Sequence, residues 1–317
     1  MPDYSVYGGS LRSEIPFPSL PPGRGAPQWK LRLARGEPLP VALDPLGEDR
    51  VDDATRVRLF RHSNGFRLSY DDTGDFDVDA TGTQIDWYAT SDASPEAVQL
   101  DVLGRVIPTA MHAAGALCLH GSAVALGDGA VAFLAPKRHG KSTLAHALVR
   151  AGARVVTDDV VALDLQPEPR MRPGVPQLRL MRDAARHLGG GDDAPAGAGG
   201  KVVIEPGSRS LARASLPVAA LYLLRPTRPD MATEGAERTP LAGVAAAMAL
   251  LPQARLAPLL GKSEASVLLD RAVRLAAVVP VYTLRVARDL GRLDDVVARL
   301  LAWHDGVPAP ALDGGSE

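Results

Sequence analysis

Residues 130–143 read Ala-Val-Ala-Phe-Leu-Ala-Pro-Lys-Arg-His-Gly-Lys-Ser-Thr. The apolar run Ala130–Ala135 predicts a buried strand. The spacing of Leu144, Ala147 and Leu148 predicts a helix over Ser142–Ala151. Between them, residues 135–142 have Walker A spacing, with Ala135 in the place of the first Gly. The spacing has a physical reason. A tight loop turns its backbone N–H groups inward as an anion nest, and the helix N-terminus adds partial positive charge. Gly140 lets the backbone approach phosphates without a Cβ clash. Lys141 reaches the β- and γ-phosphates of a nucleoside triphosphate, and Ser142 offers its hydroxyl to Mg²⁺. Lys137, Arg138 and His139 make the loop unusually basic; they either add charge at the γ-phosphate or lie on the outside. With Thr143, these residues are the candidate ATP-binding set. A second Gly-Lys-Ser at 261–263 lacks a preceding strand and reads as chance.

Working outward, Ala116–Ala125 reads as a strand joined to Ala130–Ala135 by a Gly-Asp-Gly turn at 127–129. Beyond the helix come two short strands, Ala153–Val156 and Val160–Leu165, with Asp158 and Asp159 between them. Strand, Gly-containing loop, helix, strand is the order around a nucleotide site in P-loop folds. An acidic residue at such a strand end holds Mg²⁺ directly or through water. Two adjacent carboxylates allow a division of labour, one on the metal and one as base for an acceptor hydroxyl; the plainer alternative is an exposed Asp-Asp turn. His120 closes an apolar stretch. It is either a core histidine bonded to a carbonyl or a partner that orients one Asp. Val218–Leu224 and Val281–Val286 read as buried strands, and Leu103–Ala114, Leu241–Leu251 and Leu293–Trp303 as helices. Gly189–Gly200 is a low-complexity segment, either a surface linker or a flap near the site.

The first hundred residues read as short strands between turns: Trp29–Leu33, Val57–Phe60, Gly65–Tyr70 and Gln84–Tyr88. No site chemistry is visible there, and a β-rich packing partner is the expectation. The expected organisation is a β-rich domain over 1–101, an α/β P-loop domain over 102–305, and a flexible tail over 306–317.

Bulk composition excludes several functions. Aromatics are 4% of 317 residues and no Lys/Arg block exists, so a nucleic-acid surface is not expected. No run of 18 apolar residues exists, which argues against a membrane helix. The start of the chain has no apolar signal-peptide core. The one cysteine, Cys118, excludes an internal disulfide and fits a reducing cytoplasm, the expected location.

Together, His120-Gly121, the loop ending in Gly140-Lys141-Ser142, Gly152-Ala153-Arg154 and Asp158-Asp159 resemble the catalytic core of HPr kinase/phosphorylase, whose fold is related to ATP-dependent phosphoenolpyruvate carboxykinase. The chain is more similar still to the shorter HPr-kinase-like proteins of lasso peptide and related peptide-modification clusters. That similarity runs over nearly its whole length. It rests on Tyr4 to Ser13, Leu119 to Val124, Pro176-Gln177-Leu178-Arg179-Leu180, Lys201 after a Gly-rich loop, and Val279-Pro280-Val281-Tyr282. The resemblance implies an HPr kinase/PEP carboxykinase-like α/β core and an ATP- and Mg²⁺-dependent kinase acting on a serine of a peptide or small protein. It implies Asp159 as base, Asp158 as the metal-side, His120-linked carboxylate, and Arg179 on the transferred phosphoryl group. The family usually has Gly at the places of Ala135 and Arg138, and its second signature stretch is missing here. Phosphorylase activity and HPr itself as substrate are therefore not expected. Two other functions stay open: a nucleotide-binding regulatory module without transfer, and a small-molecule kinase. The oligomeric state is open, a homo-oligomer included.

Overall fold

Every residue from Ala130 to Leu134 is buried, because the strand they form is covered on both faces. In the computed structural model, residues 1–304 are described apart from 39, 52, 190–200 and 228–234. Most of the Gly189–Gly200 segment and the tail after 304 thus lie outside the described residues. Eight strands come first: β1 (Asp3–Val6), β2 (Gly9–Ser13), β3 (Trp29–Leu33), β4 (Asp44–Arg50), β5 (Arg56–His62), β6 (Gly65–Tyr70), β7 (Gly74–Asp79) and β8 (Gln84–Ala89). They make one sheet in the order β1-β2-β3-β8-β7-β6-β5-β4. The four strands expected from sequence are present. The four that were not expected have short or polar sequences. Edge strand β4 carries Pro45 and the charged run Glu48-Asp49-Arg50, as edges do. In β7, buried Phe76 and Val78 alternate with acidic residues that mask the period.

Helix α1 (Pro95–Asp101), a π-helical turn at Val102–Val106 and α2 (Ile107–Ala113) lead into a second, mixed sheet. It contains β9 (Leu117–Leu126), β10 (Gly129–Leu134), β11 (Arg154–Asp164), β12 (Arg170–Met171), β15 (Leu216–Thr227), β16 (Ala236–Leu241) and β17 (Val281–Ala287). Strand β10 lies between antiparallel β9 and parallel β15, and β12 turns back from β11 to reach the start of β15. A separate hairpin pairs β13 (Leu178–Met181) with β14 (Lys201–Ile204). The helices are α3 (Lys141–Arg150), α4 (Arg182–His187), α5 (Gly243–Leu250), α6 (Lys262–Val278) and α7 (Leu293–Trp303). The architecture is α/β with mixed sheets. None of the described helices is long and apolar enough to cross a membrane.

Alternation along β10 divides two cores. Val131 and Phe133 face Leu144 and Leu148 of α3 and Leu300 of α7. Ala130, Ala132 and Leu134 face the other way, into a core shared with α2, α6 and the first sheet, including Trp29, Leu59 and Phe76.

Three expectations need correction. Ala153–Val156 and Val160–Leu165 are not two strands ended by the aspartates. They are one strand, β11, whose pairing with β9 runs through the aspartates with a register shift between Val155 and Thr157. The carboxylates are tolerated inside the strand because side chains across it satisfy them. The helix expected over Leu103–Ala114 starts as a π turn, where Pro108 has no N–H to continue the helical ladder. The helix expected over Leu241–Leu251 begins at Gly243, because Leu241 ends β16.

A buried ionic cluster ties the first sheet to the second. Glu264 of α6 accepts from His112 Nε2 of α2 at 2.9 Å, and Arg61 of β5 reaches its other oxygen. Arg271 Nη1 donates to His112 Nδ1 at 2.9 Å and to the Ala116 carbonyl at 2.8 Å. An arginine donating to Nδ1 requires a neutral imidazole whose proton sits on Nε2. Burial lowers the His112 pKa below 6.5, and the Glu264 hydrogen bond only partly offsets this. The Glu264 carboxyl is held below 4.5, first by its hydrogen bond from His112.

The sign follows from linkage. As pH falls below 6.5, unfolded chains bind a proton that folded His112 refuses, so folding stability declines. Below 4.5, Glu264 adds to the decline as pH approaches its lowered folded value. The urea midpoint of the wild type should therefore drop between pH 7 and pH 5. His112→Asn should be less stable at pH 7 but show a flatter pH dependence over that interval. Equal slopes in the two proteins would count against this account.

Candidate functional site

The site is organised by a carboxylate that sequence placed at a strand end. Asp158 is 8% exposed and pairs across the sheet with Ser122 of β9. Its Oδ1 accepts from the Ser122 hydroxyl and, at 2.8 Å, from Ser142 Oγ in the first turn of α3. Its Oδ2 accepts from the backbone N–H of Arg179 in β13 at 2.9 Å. One side chain thus gathers β9, α3, β11 and β13. Ser142 and Asp158 are the pair that could hold a divalent cation. Among the described residues no group of three or more His, Cys, Asp or Glu side chains is placed to hold a metal, so most remaining ligands of such a cation would be water or a bound anion, as is common for Mg²⁺.

Asp159 has a positive φ of 73°. Its Oδ1 lies 3.2 Å from His120 Nδ1, and its Oδ2 lies 3.4 Å from Arg255 Nη2. Burial raises the Asp159 pKa, but Arg255 and then His120 outweigh it and hold the carboxyl well below the usual carboxylate range. The side chain is 41% exposed, so solvent screens part of this field. The link expected between His120 and Asp158 is thus corrected: His120 partners Asp159. Register and backbone together explain why. His120 lies opposite Val160, two residues from Ser122 on β9, and the left-handed backbone of Asp159 (φ 73°) breaks the strand's alternation there, so its carboxylate and not that of Asp158 meets the ring. Gly121 has its own reason, since a Cβ there would stand 2.6 Å from Leu134 and 2.8 Å from the Phe133 carbonyl.

Arg255, like Ser122 and Tyr7, is a site residue that sequence reading missed. It is the one charged residue between Leu241 and Gly261, and an isolated charge in an apolar run needs a partner. That was the available signal. Its position depends on the π turn. Pro108 carries no N–H, so the helical ladder lacks one donor to the preceding turn, and side chains reach carbonyls of that turn. The Leu103 carbonyl accepts from Tyr7 Oη at 2.6 Å, and the Gly104 carbonyl accepts from Arg255 Nε at 2.8 Å. Tyr7 belongs to the β1–β2 turn, so the first sheet reaches the site. It lines a crevice of about 40 Å³ together with Asp158, Asp159 and Arg179.

The loop from Ala135 to Gly140 joins β10 to α3. Lys141 is 6% exposed, and its Nζ donates to the carbonyls of Ala135 at 2.9 Å and Pro136 at 3.0 Å. Burial lowers its pKa to about 8 against the pull of Asp158 and Asp159. Gly140 has φ 87°, and nothing lies within 4 Å of where a Cβ would be. Lys137, Arg138 and His139 are exposed, and Arg138 has φ 65°. On this side of the loop a cleft of about 390 Å³ is lined by Arg138, His139, Gly140 and Thr143, with Leu144 and Leu290 as apolar wall. Its size suits a small organic ligand. The structure therefore brings Lys141, Ser142, Asp158, Asp159, His120 and Arg179 together, with Thr143 on the cleft and Lys137 outside it.

No family model and no curated protein matches the chain. Among solved structures the chain is similar to "Structure of the Hpr(Ser) kinase/phosphatase from Coxiella burnetii", at 13% identity and a TM-score of 0.30, over 59% of this chain and 96% of that one. That protein is a very distant structural relative with weak, partial likeness. At this level the likeness carries nothing about residues or chemistry.

Asp158→Asn tests the hub. An amide NH₂ facing the Arg179 N–H sets donor against donor, and one facing Ser122 and Ser142 turns both hydroxyls into acceptors and takes away the acceptor of their protons. The expected cost is about 1–3 kcal/mol of unfolding free energy in urea. A loss below about 0.5 kcal/mol, the usual range of neutral surface changes, would show that the hub is not structurally important.

Proposed function

We propose that this chain is an ATP- and Mg²⁺-dependent phosphotransferase of HPr-kinase-like type, acting on a hydroxyl, in first place a serine of a peptide or small protein. The observation that carries the reading is the joining of Lys141 and Ser142, at the start of α3, to Asp158 and Asp159 on β11. A loop that can cradle phosphates, a hydroxyl–carboxylate pair suited to Mg²⁺ and an ionised carboxylate stand side by side. The donor set fits the magnesium–triphosphate group, because a cation sharing Ser142 and Asp158 needs its other ligands from phosphate and water. Bound Mg²⁺ would neutralise charge on the β/γ oxygens.

The chain's own residues have distinct tasks. Lys141 would exchange its two loop carbonyls for phosphate oxygens. Ser122 and the Arg179 N–H hold Asp158 in place. Asp159, kept ionised by Arg255 and His120, would take the proton of the acceptor hydroxyl. The crevice at Asp159 continues into a wider groove of about 210 Å³ that shares Leu100, Leu103, Gln177 and Arg179 with it. An open groove supports a peptide acceptor over a small metabolite.

Two measurements test this. ATP with Mg²⁺ should raise the melting temperature, since a ligand that binds only the folded state stabilises it. Lys141→Ala should lose most of that shift, and Lys262→Ala, in the second Gly-Lys-Ser, should keep it; equal losses would remove residues 135–142 from the nucleotide site. Asp159→Asn should retain the shift while transfer to a serine peptide, followed by mass spectrometry, falls by roughly 10²–10⁴-fold. Full transfer by Asp159→Asn would place the base elsewhere.

A further inference from the structure

The β13–β14 hairpin presents two cations on one face. In its register Arg179 lies opposite Val203 and Met181 opposite Lys201. Leu178, Leu180 and Val202 point into the core, so the alternate residues Arg179, Met181, Lys201 and Val203 share the outer face. Arg179 and Lys201 are diagonal neighbours there, about 7–8 Å apart for such a pair. Among the described residues neither side chain has a hydrogen bond or ion pair. The two like charges on this face repel, and apart from the field of Asp159 on Arg179 no described anion offsets them; one bound between them would.

The groove decides which anion. Arg179 and Lys201 both line the 210 Å³ groove, whose opposite wall is Glu96 and Leu100 of α1 with Leu103 of the π turn. The groove shares no residue with the cleft beside Gly140 and Thr143. Leu100 is a large apolar side chain left 39% exposed, and it lines both the groove and the crevice at Asp159. A chain segment whose hydroxyl stands at Asp159 would run past Leu100 toward the two cations.

We infer that the groove between α1 and the β13–β14 hairpin is an acceptor-recognition subsite, in which Arg179 and Lys201 select an acceptor carrying a carboxylate close to its hydroxyl. The inference rests on the kinase reading for the hydroxyl's role. It adds that the first hundred residues supply one wall of the acceptor site through α1. Arg–carboxylate and Lys–carboxylate hydrogen bonds supply the selectivity, and Glu96 on the α1 wall repels anions that are not held by the two cations.

The test is calorimetric titration of the full chain, held with a non-hydrolysable ATP analogue and Mg²⁺ at low salt. The probes are the capped peptides Ala-Ser-Asp-Ala and Ala-Ser-Asn-Ala, and the acetylated peptide Ala-Ser-Ala with a free or amidated terminus. The second pair separates a terminal carboxylate from a side-chain one. At least one carboxylate peptide should bind about tenfold more tightly than its neutral partner, the ratio one charge-assisted hydrogen bond supports. Lys201→Gln should bring that ratio near one. Equal binding within both pairs, or no binding of any probe, overturns the inference. So does loss of the ATP-induced thermal shift in Lys201→Gln, which would give the cation to the nucleotide. Binding is read without turnover. A protein that selects carboxylate peptides but never transfers phosphate would lose the kinase reading and keep the subsite. One that phosphorylates all four peptides alike would do the reverse.

Discussion

Asp158 accepts hydrogen bonds from Ser122, Ser142 and the Arg179 N–H, donors that belong to β9, α3 and β13. A carboxylate at 8% exposure is costly unless its lone pairs are filled. Here they are filled by the elements that surround the site. The same requirement therefore fixes three distances: from the aspartate strand to the helix after the loop, to the neighbouring strand, and to the hairpin bearing Arg179. Remove the carboxylate, and Ser142 and the hairpin lose their common partner. The chemistry proposed for the site uses the same atoms that hold it together.

Asp159, one residue on, is held by different means. One partner is His120 of the neighbouring strand β9, and the other is Arg255 from the segment between α5 and α6. Arg255 is anchored on the Gly104 carbonyl, and Tyr7 on the Leu103 carbonyl. Both acceptors lie in the π turn before Pro108. A proline that interrupts a helix thus provides the fixed points for a buried cation and a buried phenol. Burial pushes the Tyr7 pKa far up, so the phenol is a hydrogen-bond donor at any physiological pH.

The first sheet is not merely covering for the second. One hydrophobic core runs through both, from Trp29 and Phe76 to Leu119 and Leu134. The cluster of Arg61, His112, Glu264 and Arg271 clamps them at one place, and Tyr7 meets the π turn at another. The clamp holds α2 and α6 against β5.

Local sequence determined the strand–loop–helix of 130–151, because the apolar run, the Gly140 turn and the helical spacing are each set by neighbouring residues. It also determined helix α7, whose apolar residues recur at helical spacing, and the strands β3, β6 and β8. It could not determine that Asp158 and Asp159 sit inside a strand, since their tolerance there depends on Ser122, Ser142, His120 and Arg255, up to 96 positions from Asp159. The family resemblance gave His120 to Asp158, whereas the pairing of β9 with β11 and the positive φ of Asp159 bring the ring to Asp159. Arg255 and Tyr7 join the site through the carbonyls of Gly104 and Leu103 in the π turn, contacts made across 151 and 96 positions of chain. What the tertiary structure alone decided is the pairing of distant charges. Hydrogen bonds and ion pairs act over a few ångströms in space, and chain distance carries no information about that separation until the strands have found their register.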